Sequence, residues 1–212
     1  MTPVTIEQAC ALYRGADATH DFDHVLRVLA LAERLAEEEG ADLDILRTAV
    51  LLHDVARSEE RSDYGLEIDA EIDHAILGAR MARDILAHQP PDFVDAVAHA
   101  IEAHRYRNAI EPRTIEAKVL FDADKLDSIG AVGVARAFAF GGAMGQPLWG
   151  EVSADYVPGG CEAHTPHHEF HIKLKHIKDR LYTSTGKRIA EARHRLMTAF
   201  YEQMAAEVRG ER

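Results

Sequence analysis

The chain has 212 residues, 47% of them apolar or aromatic types, and a formal charge of −12 from 24 basic and 36 acidic side chains. That is enough apolar material for a packed core and too much for a disordered chain. So acidic a surface is a poor match for tracking a phosphate backbone, which speaks against an extended nucleic-acid partner. Two cysteines, Cys10 and Cys161, exclude a disulfide framework and point to a reducing compartment. No apolar run approaches the roughly 20 residues of a membrane span. The opening MTPVTIEQAC has neither the basic flank nor the apolar run of a signal peptide. The expectation is a cytoplasmic protein without a membrane partner. A small anionic ligand stays within reach if a metal or a local basic cluster offsets the charge.

In chain order the pattern is helical almost throughout. From His20 to Glu39 the positions Val25, Val28, Leu29, Ala32, Leu35 and Ala36 follow i, i+3, i+4 spacing, and Gly40 stops the helix at C′. Asp42 reads as the next N-cap, opening a helix from Leu43 to Arg57 with the buried run Ala49-Val50-Leu51-Leu52. A third helix is expected over Asp69 to Ala87, broken by Pro90-Pro91. Pro91 then suits N1 of a helix running to about His104. Thr114 to Ala139 reads as helix with a break near Gly130 and Gly133. Gly141 to Gly160 reads as a long loop, either a functional lid or simply mobile. His168 to Thr183 and Thr185 to Val208 close the chain as two helices. No strand alternation, repeat or dividing linker is visible, so the fold class is all-α.

Thirteen residues are histidine, the commonest metal-ligand type. Three stretches place imidazole or carboxylate on helices otherwise built for burial. In His20-Asp21-Phe22-Asp23-His24 the two histidines are i, i+4 and share a face. In Leu51-Leu52-His53-Asp54-Val55-Ala56-Arg57 a His-Asp pair follows a strongly apolar run. In Phe121-Asp122-Ala123-Asp124-Lys125-Leu126-Asp127 three aspartates sit in an apolar helix. A carboxylate is costly to bury unless it is paired or metal-bound. Imidazoles and carboxylates gathered from three helices make a mixed N/O site suited to Mn²⁺, Fe²⁺, Co²⁺, Ni²⁺ or Zn²⁺, with open positions for water and substrate.

The order H…HD…D in an all-α chain resembles the HD superfamily of metal-dependent phosphohydrolases. The likeness rests on His24 in HVLRV, His53 and Asp54 in LLHDVAR, and Asp124 in ADKL. It extends through DHAILGARMARDIL with His74, AIEAHRYR with His104, FDADKLDSIGAVGVARAFAFGG, and the C-terminal KLKHIKDRLYTSTGKRIAEARHRLM. Over about residues 18–208 the chain looks like the small stand-alone bacterial HD hydrolases. The resemblance implies a bundle of about eight to nine helices in one HD domain over 1–212. Its core would span about 18–140, its loop about 141–167 and its C-terminal helical pair about 168–208. It implies hydrolysis of a nucleotide or related phosphorylated small molecule by metal-activated water.

In this reading His24, His53, Asp54 and Asp124 hold one divalent ion: Mn, Fe, Co, Ni, Zn or Mg. Asp54, His74, His104 and Lys125 act on water and phosphate. His20, Arg27, Lys125 and Lys173 contact substrate. His74 and His104 carry two alternatives, phosphate contact with proton transfer or ligation of a second metal, and the first is preferred because two neutral imidazoles add no negative charge. Arg57 departs from the acidic or lysine residue that follows the dyad in some relatives, so a base at that position is not expected here.

Blander readings stand beside these. Arg27 can simply pair with Asp23 at i, i+4. Asp122 and Asp127 read as structural, one capping or pairing with Lys118 or Arg136. The string Cys161-x-x-His164-x-x-His167-His168-x-x-His171 reads as a solvated loop or lid ahead of a structural zinc site. Trp149 and Tyr156 read as packing the long loop down ahead of stacking on a base. Two rival functions are a regulatory HD module that binds a nucleotide without turnover, and an oxygenase on the same scaffold with a di-iron ligand set. The presence of all four ligand positions disfavours the regulatory module.

Overall fold

A computed structural model describes residues 2–13, 22–57, 73–105 and 109–211. Among them are nine α-helices and no strand, as the periodicity predicts. The chain divides into two compact units, Met1–Lys125 with Leu181–Gly186, and Leu126–Arg180 with Lys187–Arg212.

The first unit begins with α1 (Ile6–Leu12), at seven residues too short for apolar periodicity to reveal. Its start is fixed by a capping box in which Thr5 accepts from Gln8 N–H while the Gln8 side chain accepts from Thr5 N–H. Helix α2 (Phe22–Glu39) buries Val25, Val28, Ala32, Leu35 and Ala36 on one face. Asp42 caps α3 (Leu43–Leu52) by accepting from the Asp44 and Ile45 amides. Apart from Arg47 and Thr48, α3 is apolar from Leu46 to Leu52, and every residue of that stretch but Arg47 is buried; the helix packs on α1, α2 and α5. Asp73 caps α4 (His74–Ile85), and Pro91 opens α5 (Pro91–Ala103), which lies against α4. Helix α6 (Ile115–Asp127) is buried almost all round, from Ala117 through Asp127, which marks a central helix.

Helix α3 is shorter than its apolar pattern suggests. The expected continuation to Arg57 does not occur: the α-helix ends at Leu52, and the next residues turn tightly with bonds reaching back three positions. The cause is local. The His53 ring takes the Val50 carbonyl at 2.8 Å, the acceptor that Asp54 N–H would need to extend the helix.

Asp122 is a buried anchor within this unit. Its Oδ1 accepts from Tyr182 N–H at 2.9 Å, and its Oδ2 accepts from Thr183 N–H at 2.7 Å and from the Thr183 hydroxyl at 2.6 Å. The structural reading of Asp122 holds, with backbone amides from the 181–186 segment as partners.

The second unit contains α7 (Gly130–Ala143), α8 (Pro166–Ile172), a 3-10 segment (Leu174–Arg180) and all but the first turn of α9 (Ser184–Val208). The expected break before α7 occurs at Ser128–Ile129, followed by Gly130 with φ +77°. Helix α7 runs on to Ala143, so the irregular stretch begins later than Gly141. The expected helix over His168–Thr183 is two pieces, α8 and the 3-10 segment. Asp127 pairs with Arg136 at 2.8 Å, one of the two partners read for it. Phe170 and Tyr201 stack at 4.3 Å, Phe138 joins Tyr201 at 6.2 Å, and the Tyr201 hydroxyl donates to Pro166 O at 3.1 Å.

Candidate metal centre

Helix ends of the first unit bring the polar residues together. His24 comes from the first turn of α2, His53 and Asp54 from the turn after α3, His74 from the first position of α4, His104 from the C-cap of α5, and Asp124 from within α6. All six are buried. Asp54 is their hub. Its Oδ2 lies 3.6 Å from His53 Nε2 and 3.8 Å from His24 Nε2, while its Oδ1 lies 3.4 Å from His104 Nε2 and 3.5 Å from His74 Nε2. Asp124 Oδ1 lies 3.3 Å from His24 Nε2. The donor atoms of His24, His53 and Asp124 all lie within 4.8 Å of one another, as do those of His53, Asp54 and His104.

The ring nitrogens divide by what holds them. His53 and His104 are both C-cap residues, and each ring donates Nδ1–H to a carbonyl of its own helix three residues back: Val50 O at 2.8 Å and Ile101 O at 2.6 Å. Those bonds satisfy orphan helix-end carbonyls and leave both Nε2 lone pairs facing the carboxylates. His74 is the reverse. Arg57 lies 3.1 Å from its Nδ1, and a guanidinium can only donate, so Nδ1 accepts and Nε2 carries the hydrogen. His74 therefore presents a donor where His104 presents an acceptor. Sequence alone had treated the two as a pair.

These residues pass a direct test of fit to a cation. His53 Nε2 is fully buried and has no hydrogen-bond partner. A buried, unpartnered lone pair facing two carboxylates is costly unless a positive centre sits among them. The donor set is imidazole and carboxylate, the mixture that suits first-row divalent ions.

The electrostatics agree. Burial pushes His53 down to about 4, so its imidazole is neutral near pH 7. Burial opposes ionisation of Asp54 and of Asp124. Even so, the imidazoles of His53, His104 and His74 hold Asp54 well below the usual carboxylate range, and Lys125 together with His24 does the same for Asp124. The Lys125 ammonium bonds to Asp124 Oδ2, and it lies 5.4 Å from the centre of the Phe121 ring.

Of the proposed substrate contacts, Lys125 lies at this site, bonded to Asp124. Arg27 pairs with Asp23 one turn away, and Lys173, in the second unit, pairs with Glu169 at 2.9 Å. His20 lies outside the described residues. The histidine string of the second unit is not a solvated loop. His168 is buried and bonds to Glu162 at 2.6 Å and to Thr165 Oγ1 at 2.7 Å. His167 lies beneath Trp149 with ring centres 3.8 Å apart, and Tyr156 bonds to His164 at 2.6 Å. Both aromatic residues pack the loop, the blander of the readings made for them.

A family model for the HD domain matches residues 21–129. The chain is 36% identical to YpgQ of Bacillus subtilis (strain 168) over 198 residues, 90% of this chain and 85% of that protein. The crystal structure of Bacillus subtilis YpgQ in complex with ADP superposes with a TM-score of 0.71 at 30% identity, covering 98% of this chain and 100% of the other. An HD-superfamily hydrolase from Bacillus thuringiensis superposes with a TM-score of 0.70 at 31% identity, over 96% of each chain. With H…HD…D drawn together in an all-helical frame, the chain belongs to the HD-domain family.

Proposed function

We propose that this protein is a metal-dependent phosphohydrolase acting on a nucleotide or related phosphorylated small molecule. The observation that carries the proposal is the orphaned, buried Nε2 of His53 between two carboxylates held ionised. The nucleotide class is supported by YpgQ, which has been crystallised with ADP.

In this reading His24, His53, Asp54 and Asp124 hold one divalent ion. When bound, such an ion supplies a water acidified toward neutrality and offsets phosphate charge. Lys125 keeps one oxygen of Asp124 occupied, so that the other faces His24. His74 donates from Nε2 to a phosphate oxygen, and Arg57 keeps that hydrogen in place. His104 offers an unprotonated Nε2 that can take a proton from the attacking water, its tautomer held by Ile101 O.

The test is phosphate or pyrophosphate release from a nucleotide panel, run with Mn²⁺, Mg²⁺, Co²⁺ and Ni²⁺ after chelation. Turnover should require the metal, and Asp54→Ala should abolish both turnover and stoichiometric metal. An Asp54→Ala protein with full metal content and full activity would refute the assignment.

A further inference from the structure

The turn that carries His53 and Asp54 is held by a residue far from it in sequence. After α3 ends, His53 N–H bonds to Val50 O at 3.5 Å and Val55 N–H bonds to Leu52 O at 3.2 Å. The rung between them is different. Asp54 N–H donates to the Tyr13 hydroxyl at 3.3 Å, and that hydroxyl donates onward to Leu51 O at 3.1 Å. A side-chain oxygen thus stands inside the i→i−3 ladder, bridging two backbone groups that would otherwise meet directly. An inserted hydroxyl of this kind opens and bends a helix end. Here it does so at the residue whose carboxylate faces four imidazoles.

The other anchors of this turn account for His53 but not for Asp54. The Val50 carbonyl is already taken by the His53 ring. The Asp54 amide is thus denied its α-helical acceptor, and the next one along, Leu51 O, receives the Tyr13 hydroxyl instead; a buried amide without a partner is costly. Tyr13 supplies the acceptor. Its ring is held in turn against Phe22, with centres 5.4 Å apart, and Phe22 is the first residue of the helix that carries His24. Tyr13 thus touches the turn bearing two of the proposed ligands and the helix bearing a third.

We propose that Tyr13 is a positioning residue of the metal centre, whose hydroxyl, inserted between Leu51 O and Asp54 N, sets the orientation of the His53–Asp54 dyad. The proposal rests on the reading of these residues as a metal centre, and the test separates the two. Tyr13→Phe removes only the hydroxyl and keeps the ring. Thr5→Ala is the control: it removes the capping box of α1 without touching the dyad.

In full-length, chelated protein, Tyr13→Phe should speed hydrogen exchange at the Asp54 amide at least tenfold, with the Ala49 and Val50 amides unchanged. It should also weaken Mn²⁺ binding by about 10–100-fold, the range for losing a group that orients a ligand, and alter the visible spectrum of the Co²⁺-substituted protein. Thr5→Ala should leave all three readouts at wild-type values. Wild-type exchange at Asp54 and wild-type Mn²⁺ affinity in Tyr13→Phe would overturn the proposal. So would equal effects from Thr5→Ala, which would reduce Tyr13 to general support of α1. A wild-type protein that binds no divalent ion would instead sink the metal centre, and the exchange comparison would still decide whether Tyr13 holds the turn.

Discussion

At the scale of single residues, the site is a set of decisions about which ring nitrogen faces inward. His53 and His104 stand at helix C-termini, where unpaired carbonyls are available, so each spends Nδ1–H on its own helix. His74 stands at a helix N-terminus, where carbonyls are not exposed, and takes Arg57 as a donor instead. This difference yields two predictions. His104→Ala should keep about one ion per chain and lower the rate by roughly 10²–10⁴, the loss expected for an acid–base group. Elemental analysis showing two ions in wild type and one in His104→Ala would replace that role with ligation of a second metal. Arg57→Ala should leave metal content unchanged and lower kcat by about tenfold or more, because His74 is then free to change tautomer. An unaltered kcat would remove Arg57 from the machinery.

At the scale of elements, two junctions deserve a measurement. A Cβ at Gly133 would lie 2.2 Å from the Ser128 carbonyl oxygen, and backbone cannot step aside as a side-chain tip can. Gly133→Ala should therefore destabilise the protein by about 1–3 kcal/mol or more, measured by urea denaturation; a wild-type midpoint would show that the α6–α7 junction yields easily. The second junction is at α8. Lys175 donates to His171 Nδ1 at 3.2 Å, His171 Nε2 contacts His167 Nε2 at 3.0 Å, and His167 Nδ1 donates to Gly150 O at 2.8 Å. Every link uses one hydrogen and one lone pair, so both rings are neutral in the folded chain. Burial lowers both histidines, and the Lys175 charge lowers His171 further. The unfolded chain therefore takes up protons near pH 6.5 that the folded chain refuses. The stabilisation is complete above about pH 6.5 and is lost as pH falls below it. Trp149, the single tryptophan of the chain, stacks on His167 and reports the change. Its emission should shift between pH 7.5 and 5.5 together with a falling melting temperature, and a flat profile would contradict the relay.

At the scale of the whole molecule, a chain of charge −12 that buries Asp54 and Asp124, each within 4 Å of His24 Nε2, concentrates negative charge at that site. A cation bound only by the folded form stabilises it by mass action, about 2.7 kcal/mol at one hundred times its Kd. For a chain of this length that is a rise of about 5–11 °C in melting temperature. Calorimetry with Mn²⁺ and with chelator should show that gap in the transition of the first unit, and Asp54→Ala should close it. Equal melting of chelated and Mn²⁺-loaded wild type would argue against a resident ion.

Much of this architecture is local and therefore legible in the chain. The apolar stripe of α2, the Asp42 cap, Pro91 at N1 and Gly130 at the start of α7 each act within a turn or two, so periodicity and caps suffice to place them. The acidic and imidazole residues set into apolar helices were equally visible, because their burial contradicts their polarity. What lay beyond the sequence was one local competition for a carbonyl and a set of non-local contacts. It read α3 through to Arg57, since nothing in LLHDVAR shows that the His53 ring will take the Val50 carbonyl. It had no means of pairing Tyr13 with a backbone amide 41 positions away, nor of turning His74 and His104 in opposite senses. Residue types and their order determined which groups could meet in this protein. The tertiary structure alone decided which lone pairs and which hydrogens they present to one another, because a ring's tautomer is set by whichever carbonyl or guanidinium the fold brings to its far side.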